Sequence, residues 1–265
     1  MNGMAFYRFK ESKDFVKTER SIVALGDSLT KGHYKIQGNE GVTVTYLPYT
    51  FFLQRMVGEY LRRHKKPFDV YIDNLSQDGM LVGSNSLYLD SMGGGVEISF
   101  SRVLDLSPDV CILLGGSNNL GYFLQSDSDV EHAAESIAGI LFSIYDRFRE
   151  AGAQPISVTV PSVLVAPEER ERARFLVEGR RRLNDRIKEY STRNGINCVD
   201  LFAATATEDG WMRGEYANDG LHFNPKGYSA MAEAIFDQGV KSILDAWLGE
   251  DNNKRGILGR MRIGR

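Results

Sequence analysis

Ser28 follows an apolar run in Leu25-Gly26-Asp27-Ser28-Leu29-Thr30, and far down the chain stands Asp219-Gly220-Leu221-His222. A hydroxyl, an imidazole and a carboxylate together can carry out nucleophilic acyl transfer. The histidine accepts the serine proton, and the aspartate orients the ring and stabilises its charged form. The chain has 4 histidines, so few residues can be the base. His64, within Arg62-Arg63-His64-Lys65-Lys66, and His132, near a helix start, read as solvated. His33 falls in a polar stretch just after the serine, where it can be a solvated loop residue or touch substrate.

These residues need a frame to meet. Apolar runs at Ile22–Leu25, Val70–Leu75, Val110–Leu114, Ile156–Val160 and Cys198–Phe202 read as buried strands. Segments with helical spacing lie between and after them. Phe52, Met56, Tyr60 and Leu61 line one face, and Val130, Ala134, Ile137, Leu141, Ile144, Tyr145 and Phe148 another. The charged segment from Glu168 to Lys188 reads as an exposed helix, with Arg180, Arg181 and Arg182 on a solvated face. A last helix is expected from about Lys226 to Leu248. Alternating strands and helices indicate an α/β fold with a parallel sheet, whose functional loops gather at the carboxyl ends of the strands.

Each strand end carries suitable residues. After the first comes Gly26-Asp27-Ser28; after the second, Asn74-Leu75-Ser76-Gln77-Asp78-Gly79; after the third, Gly115-Gly116-Ser117-Asn118-Asn119. Asp219 and His222 lie past the fifth and open the last helix. Their convergence would assemble a nucleophile, a base and donors aimed at a developing oxyanion. Two stretches read as irregular. Lys31–Pro48 is a polar and aromatic insertion holding His33, Tyr34, Tyr46 and Tyr49, and Leu81–Val96 contains Gly93-Gly94-Gly95. His33, Tyr34 and Tyr46 are the candidates for substrate contact.

Bulk composition narrows the class. Hydrophobic residues at 42% and charged residues at 25% suit a globular protein, and a net charge of −3 gives no reason to expect nucleic acid. No apolar run approaches the ~18 residues that cross a bilayer. The first ten residues lack the apolar core of a signal peptide, and Cys111 and Cys198 read as buried thiols. A cytoplasmic protein is the expectation. Histidines, cysteines and carboxylates show no metal-ligand spacing, and no glycine-rich phosphate cradle follows a strand, so no metal or cofactor is expected. Residues 1–250 read as one domain with an extension at 1–20. Asn252–Arg265, with five Lys/Arg and no acid, reads as a basic tail.

In these blocks the chain resembles the SGNH hydrolases, the GDSL esterase/lipase family. Gly26-Asp27-Ser28-Leu29 matches the first block, Asn74 to Gly79 the second, Gly116-Ser117-Asn118-Asn119 the third, and Asp219-Gly220-Leu221-His222 the last. The resemblance implies a three-layer α/β/α sandwich on a five-stranded parallel sheet, close to the flavodoxin pattern. It implies Ser28 as nucleophile, His222 as base and Asp219 as orienting acid. Gly79 and Asn118 would join the Ser28 N–H as oxyanion donors. The substrate implied is a small-molecule carboxylic ester, with small acyl or acetyl esters favoured by the polarity of the insertion. An acyltransferase, a lysophospholipase or thioesterase, and a non-catalytic binding protein on the same fold are the rivals. Two departures stand out: Asn119 where the block usually ends in aspartate, and Asp78 beside Gly79, whose carboxylate is expected to point away from the oxyanion.

Overall fold

The computed structural model describes residues 19–250 apart from 40, 66–67, 84–85, 90–97, 100–102 and 104. Most of the 1–20 extension, the tail from 251 and Gly93–Gly95 therefore lie outside the described residues. Five strands form a parallel sheet: β1 (Glu19–Gly26), β4 (Asp69–Ser76), β8 (Val110–Leu114), β9 (Gln154–Val158) and β10 (Asn197–Val199). Their order, β10-β9-β8-β1-β4, is the flavodoxin-type order, with β1 held between β4 and β8 and the chain switching direction after β4.

Alternation along the strands builds two cores. Ile22 and Ala24 of β1, with Val110, Ile112 and Leu114 of β8, face a layer that includes Leu53 and Val57 from helix Tyr49–Arg63 and Tyr228 and Met231 from helix Pro225–Ile235. Val23, Leu25, Cys111 and Leu113 face the other way, toward Ile137, Leu141 and Ile144 of helix Val130–Glu150 and Leu183 and Ile187 of helix Arg174–Asn194. Burial on both faces explains why these strands read as unbroken apolar runs. Among the described residues, no helix is long and apolar enough to cross a membrane.

Several expectations are corrected. The fifth strand ends at Val199, because Asp200 caps a short helix, Leu201–Thr205, by accepting from the Ala203 N–H; Leu201 and Phe202 are helical. The charged helix begins at Arg174, and its arginines do not share one solvated face. Arg180 is buried, with Nε donating to the Pro161 carbonyl at 3.1 Å and another guanidinium nitrogen to the Leu176 carbonyl at 2.9 Å. Arg181 packs over the Phe202 ring, and of Arg180, Arg181 and Arg182 just the last is exposed, paired with Glu178. The last helix is interrupted by a π-helical turn at Phe236–Val240 before helical residues 241–250.

The insertion is ordered. Strands β2 (His33–Gly38) and β3 (Gly41–Tyr46) form an antiparallel hairpin pairing His33 with Tyr46 and Lys35 with Val44. Within the second irregular stretch, β5 (Met80–Val82) pairs with β6 (Ser86–Leu89), and β6 with β7 (Ile98–Ser99).

Candidate active site

The nucleophile side is built on the centre of the sheet. A Cβ at Gly26 would stand 2.6 Å from the Leu114 carbonyl oxygen, so only glycine lets β1 turn this tightly against β8. Asp27 then caps the one-turn helix Ser28–Lys31, its Oδ1 accepting from the Leu29 N–H at 2.9 Å. Asn74 at the end of β4 braces that turn, donating to the Thr30 carbonyl at 3.0 Å and to Thr50 Oγ1 at 3.1 Å. The Gln77 N–H reaches the Gly26 carbonyl at 3.0 Å. Ser28 emerges almost buried, at 7% exposure.

The base side is a loop leading into helix Pro225–Ile235. Asn224 caps that helix, accepting from the Gly227 N–H at 3.0 Å, and Pro225 fills its first turn. Before it, Asn218 N–H donates to the His222 carbonyl at 2.9 Å, closing the Asp219–His222 turn. Gly220 has φ +88°, and a Cβ there would lie 2.5 Å from the Leu164 carbonyl oxygen, so geometry and space both demand glycine. Inside the turn, Asp219 Oδ1 accepts from the N–H groups of Leu221 at 3.2 Å and His222 at 2.9 Å. Asp219 Oδ2 lies 3.0 Å from His222 Nδ1, and His222 Nε2 lies 2.8 Å from Ser28 Oγ. An ionised carboxylate only accepts, so Nδ1 carries the ring proton and Nε2 is free to accept from the serine hydroxyl.

The charges fit this arrangement. Burial pushes the His222 pKa below its ordinary value of 6.5; its bond to Asp219 opposes the shift, while His33 and Lys35 reinforce it. Burial by itself would raise the Asp219 carboxyl. Hydrogen bonds from Lys35, the His222 N–H and the His222 ring outweigh it and hold that carboxyl well below the usual range. At Asp27 the balance is reversed: burial outweighs the hydrogen bond from the Leu29 N–H and the nearby Arg180 charge, and pushes the carboxyl up to about 7.

The other sequence-selected residues surround this pair. Asn118 Nδ2 donates to the Met80 carbonyl at 2.9 Å and lies 3.4 Å from Asp27 Oδ2, next to the serine. Gly79 directly precedes Met80 in the turn joining β4 to β5. Asn119 accepts from the Val82 N–H at 3.0 Å and donates to the Val82 carbonyl at 2.9 Å. An aspartate could make only the first bond, so the departure at this position strengthens the hold on β5. Asp78 turns toward the hairpin, 2.7 Å from Lys31 Nζ and 3.3 Å from His33 Nδ1, and it accepts from the Tyr46 hydroxyl at 2.9 Å. The His33 ring stacks on His222 with centroids 4.3 Å apart. Tyr34 is half-buried against the main core.

Two residues escaped the sequence reading. Lys35 Nζ lies 2.8 Å from Asp219 Oδ2, and the Asn218 side chain bonds both the N–H and the carbonyl of Lys35. Strand alternation puts Lys35 on the face of His33, but nothing in the sequence sets that face against a loop so distant in the chain. No cluster of His, Cys, Asp and Glu suited to a metal ion occurs among the described residues.

Residues 24–230 match the profile of the GDSL-like Lipase/Acylhydrolase family. Among solved structures, the fold is similar to an aryl esterase from M. smegmatis, with TM-score 0.60, 15% identity, and coverage of 84% of this chain and 99% of that one. A carbohydrate acetylesterase from Sinorhizobium meliloti gives TM-score 0.59 at 17% identity, covering 84% of this chain and 99% of that one. A lipase/acylhydrolase from Enterococcus faecalis gives TM-score 0.55 at 18% identity, with coverage of 82% and 93%. At these identities the likeness concerns the fold alone. The curated proteins contain no match to the sequence.

Proposed function

The chain belongs to the GDSL-like lipase/acylhydrolase family and is a hydrolase of ester bonds, and from that premise we propose that it works as a serine esterase through an acyl-enzyme on Ser28. The observation that carries this reading is the unbroken relay from Ser28 Oγ to His222 Nε2 at 2.8 Å and from Nδ1 to Asp219 at 3.0 Å. Ser28 Oγ attacks the ester carbonyl as its proton passes to Nε2, and Asp219 stabilises the imidazolium that forms. The N–H groups of Ser28 and Gly79 hold the oxyanion, joined by the Asn118 amide as it exchanges its long 3.4 Å contact with Asp27 for the substrate oxygen. His222 then gives its proton to the departing alcohol. Water, deprotonated by the same nitrogen, attacks the acyl-enzyme, and Ser28 recovers its proton from His222.

The base must be neutral to act. Because burial sets His222 below 6.5, kcat/KM should rise with pH through a midpoint below that value and then level off. For substrate, we propose small acyl or acetyl esters. The rim beside His222 carries Lys31, His33 and Asp78, which suit a polar alcohol portion better than a long acyl chain. Ser28→Ala tests the mechanism: p-nitrophenyl acetate turnover should vanish while circular dichroism stays native, and retained turnover would sink the assignment. A chain-length series of nitrophenyl esters beside acetylated sugars tests the substrate, with rates expected to fall as the acyl chain lengthens.

A further inference from the structure

We infer that Lys35 is a positioning residue for the relay: from the first strand of the hairpin it locks the Asp219 carboxylate and sets the charge that His222 senses. This rests on the reading of Ser28, His222 and Asp219 as the reacting group and its relay. Two independent contacts hold Lys35 in place. Its Nζ lies 2.8 Å from Asp219 Oδ2, on the oxygen that also meets His222 Nδ1. Its backbone is clamped by Asn218, the residue before Asp219: Lys35 N–H donates to Oδ1 at 2.7 Å, and Nδ2 donates to the Lys35 carbonyl at 2.9 Å. Two residues back, the His33 carbonyl accepts from the Tyr228 hydroxyl at 2.7 Å. The strand is thus fastened to the base loop and to the helix that follows it.

The hydrogen-bond inventory explains what this does. Asp219 Oδ1 accepts from two backbone N–H groups, Oδ2 meets the ammonium, and the ring Nδ1 straddles the two oxygens at 3.1 and 3.0 Å. With its acceptor sites filled, the carboxylate has one orientation, and the imidazole it holds points Nε2 at Ser28. The ammonium also offsets the Asp219 charge, so the imidazolium gains less from its partner. Every group facing His222 enters this balance: Asp219 from its own turn, Ser28 from the nucleophile turn, and His33 and Lys35 from the hairpin. Asp78 and Lys31 stand behind His33. The positive charge keeps His222 neutral, and therefore competent as a base, to lower pH.

Three full-length variants test the inference: Lys35→Met, Lys35→Gln and Lys35→Arg. Gln keeps a donor without charge, and Arg keeps both. The readouts are the acid limb of kcat/KM for p-nitrophenyl acetate and the His222 ring titration by NMR, which separates it from His33. Removing the positive charge lets His222 hold its proton longer, so in the Met and Gln variants both midpoints should rise by about half a unit to one unit. High salt should shrink the difference, since Lys35 is partly exposed. The Arg variant should keep the wild-type midpoint. A uniform fall in rate with unmoved midpoints in both neutral variants would overturn the inference, as would an Arg variant that shifts as far as Met. If turnover proves independent of Ser28, the proposed function fails, while the NMR titration still reports on Lys35 and Asp219.

Discussion

Two aspartates flank the Ser28–His222 hydrogen bond, and their surroundings drive them in opposite directions. Asp27 lies under the nucleophile, 1% exposed, and burial pushes its carboxyl up to about 7. Asp219 lies behind the base, where Lys35 and the His222 N–H groups hold its carboxyl far down. The nucleophile turn is thus fixed by packing against the sheet and by neutral hydrogen bonds. The base loop is fixed by charge, with a hairpin supplying the counter-ion. Environment assigns the two carboxylates different work: one caps a turn, the other stabilises an imidazolium.

Substitutions can break this contrast, and the largest effect falls on the base side. Asp219→Asn keeps the shape and removes the charge, so Nδ1 loses its acceptor and the wrong tautomer becomes available. Turnover should fall about 10⁴-fold, measured as kcat under saturating ester, with little change in melting temperature. A loss under tenfold would mean that Asp219 does not orient the ring. Asn118→Ala comes next and probes the nucleophile side: ~10²–10³ in kcat, with KM nearly constant, if the amide meets the oxyanion. An equal loss in KM alone would assign Asn118 to ground-state binding. Asp27→Asn should have the smallest effect, seen in stability. A carboxyl raised by folding stabilises the fold less once ionised, so wild-type stability should decline as pH rises from about 4 to about 7. The Asn variant should lack that decline in urea unfolding at successive pH values, and parallel curves would refute the burial argument.

The same contrast explains what was legible in the sequence. The nucleophile side rests on short-range signals: a buried apolar run, a glycine and a capping aspartate within a few residues. The strands, Ser28 and the turns holding Asn74 and Asn118 could therefore be located from local pattern. The strand order is the flavodoxin-type one that the family resemblance implies. Arg180 misled because a charged helix normally presents its arginines to water, whereas here two backbone carbonyls in the interior receive that guanidinium. The insertion stayed opaque although Val42-Thr43-Val44-Thr45 alternates with strand period. Its partners lie about 180 residues away in Asn218 and Asp219, and polar contacts of that span leave no periodicity to read.

The central claim is that Ser28 is made nucleophilic by His222. Intact-mass measurement after treatment with a fluorophosphonate probe tests it most directly. The folded wild type should gain a single adduct that maps to Ser28, His222→Ala should react far more slowly, and Ser28→Ala should gain none. An adduct on another residue, or equal labelling of wild type and His222→Ala, would contradict the account.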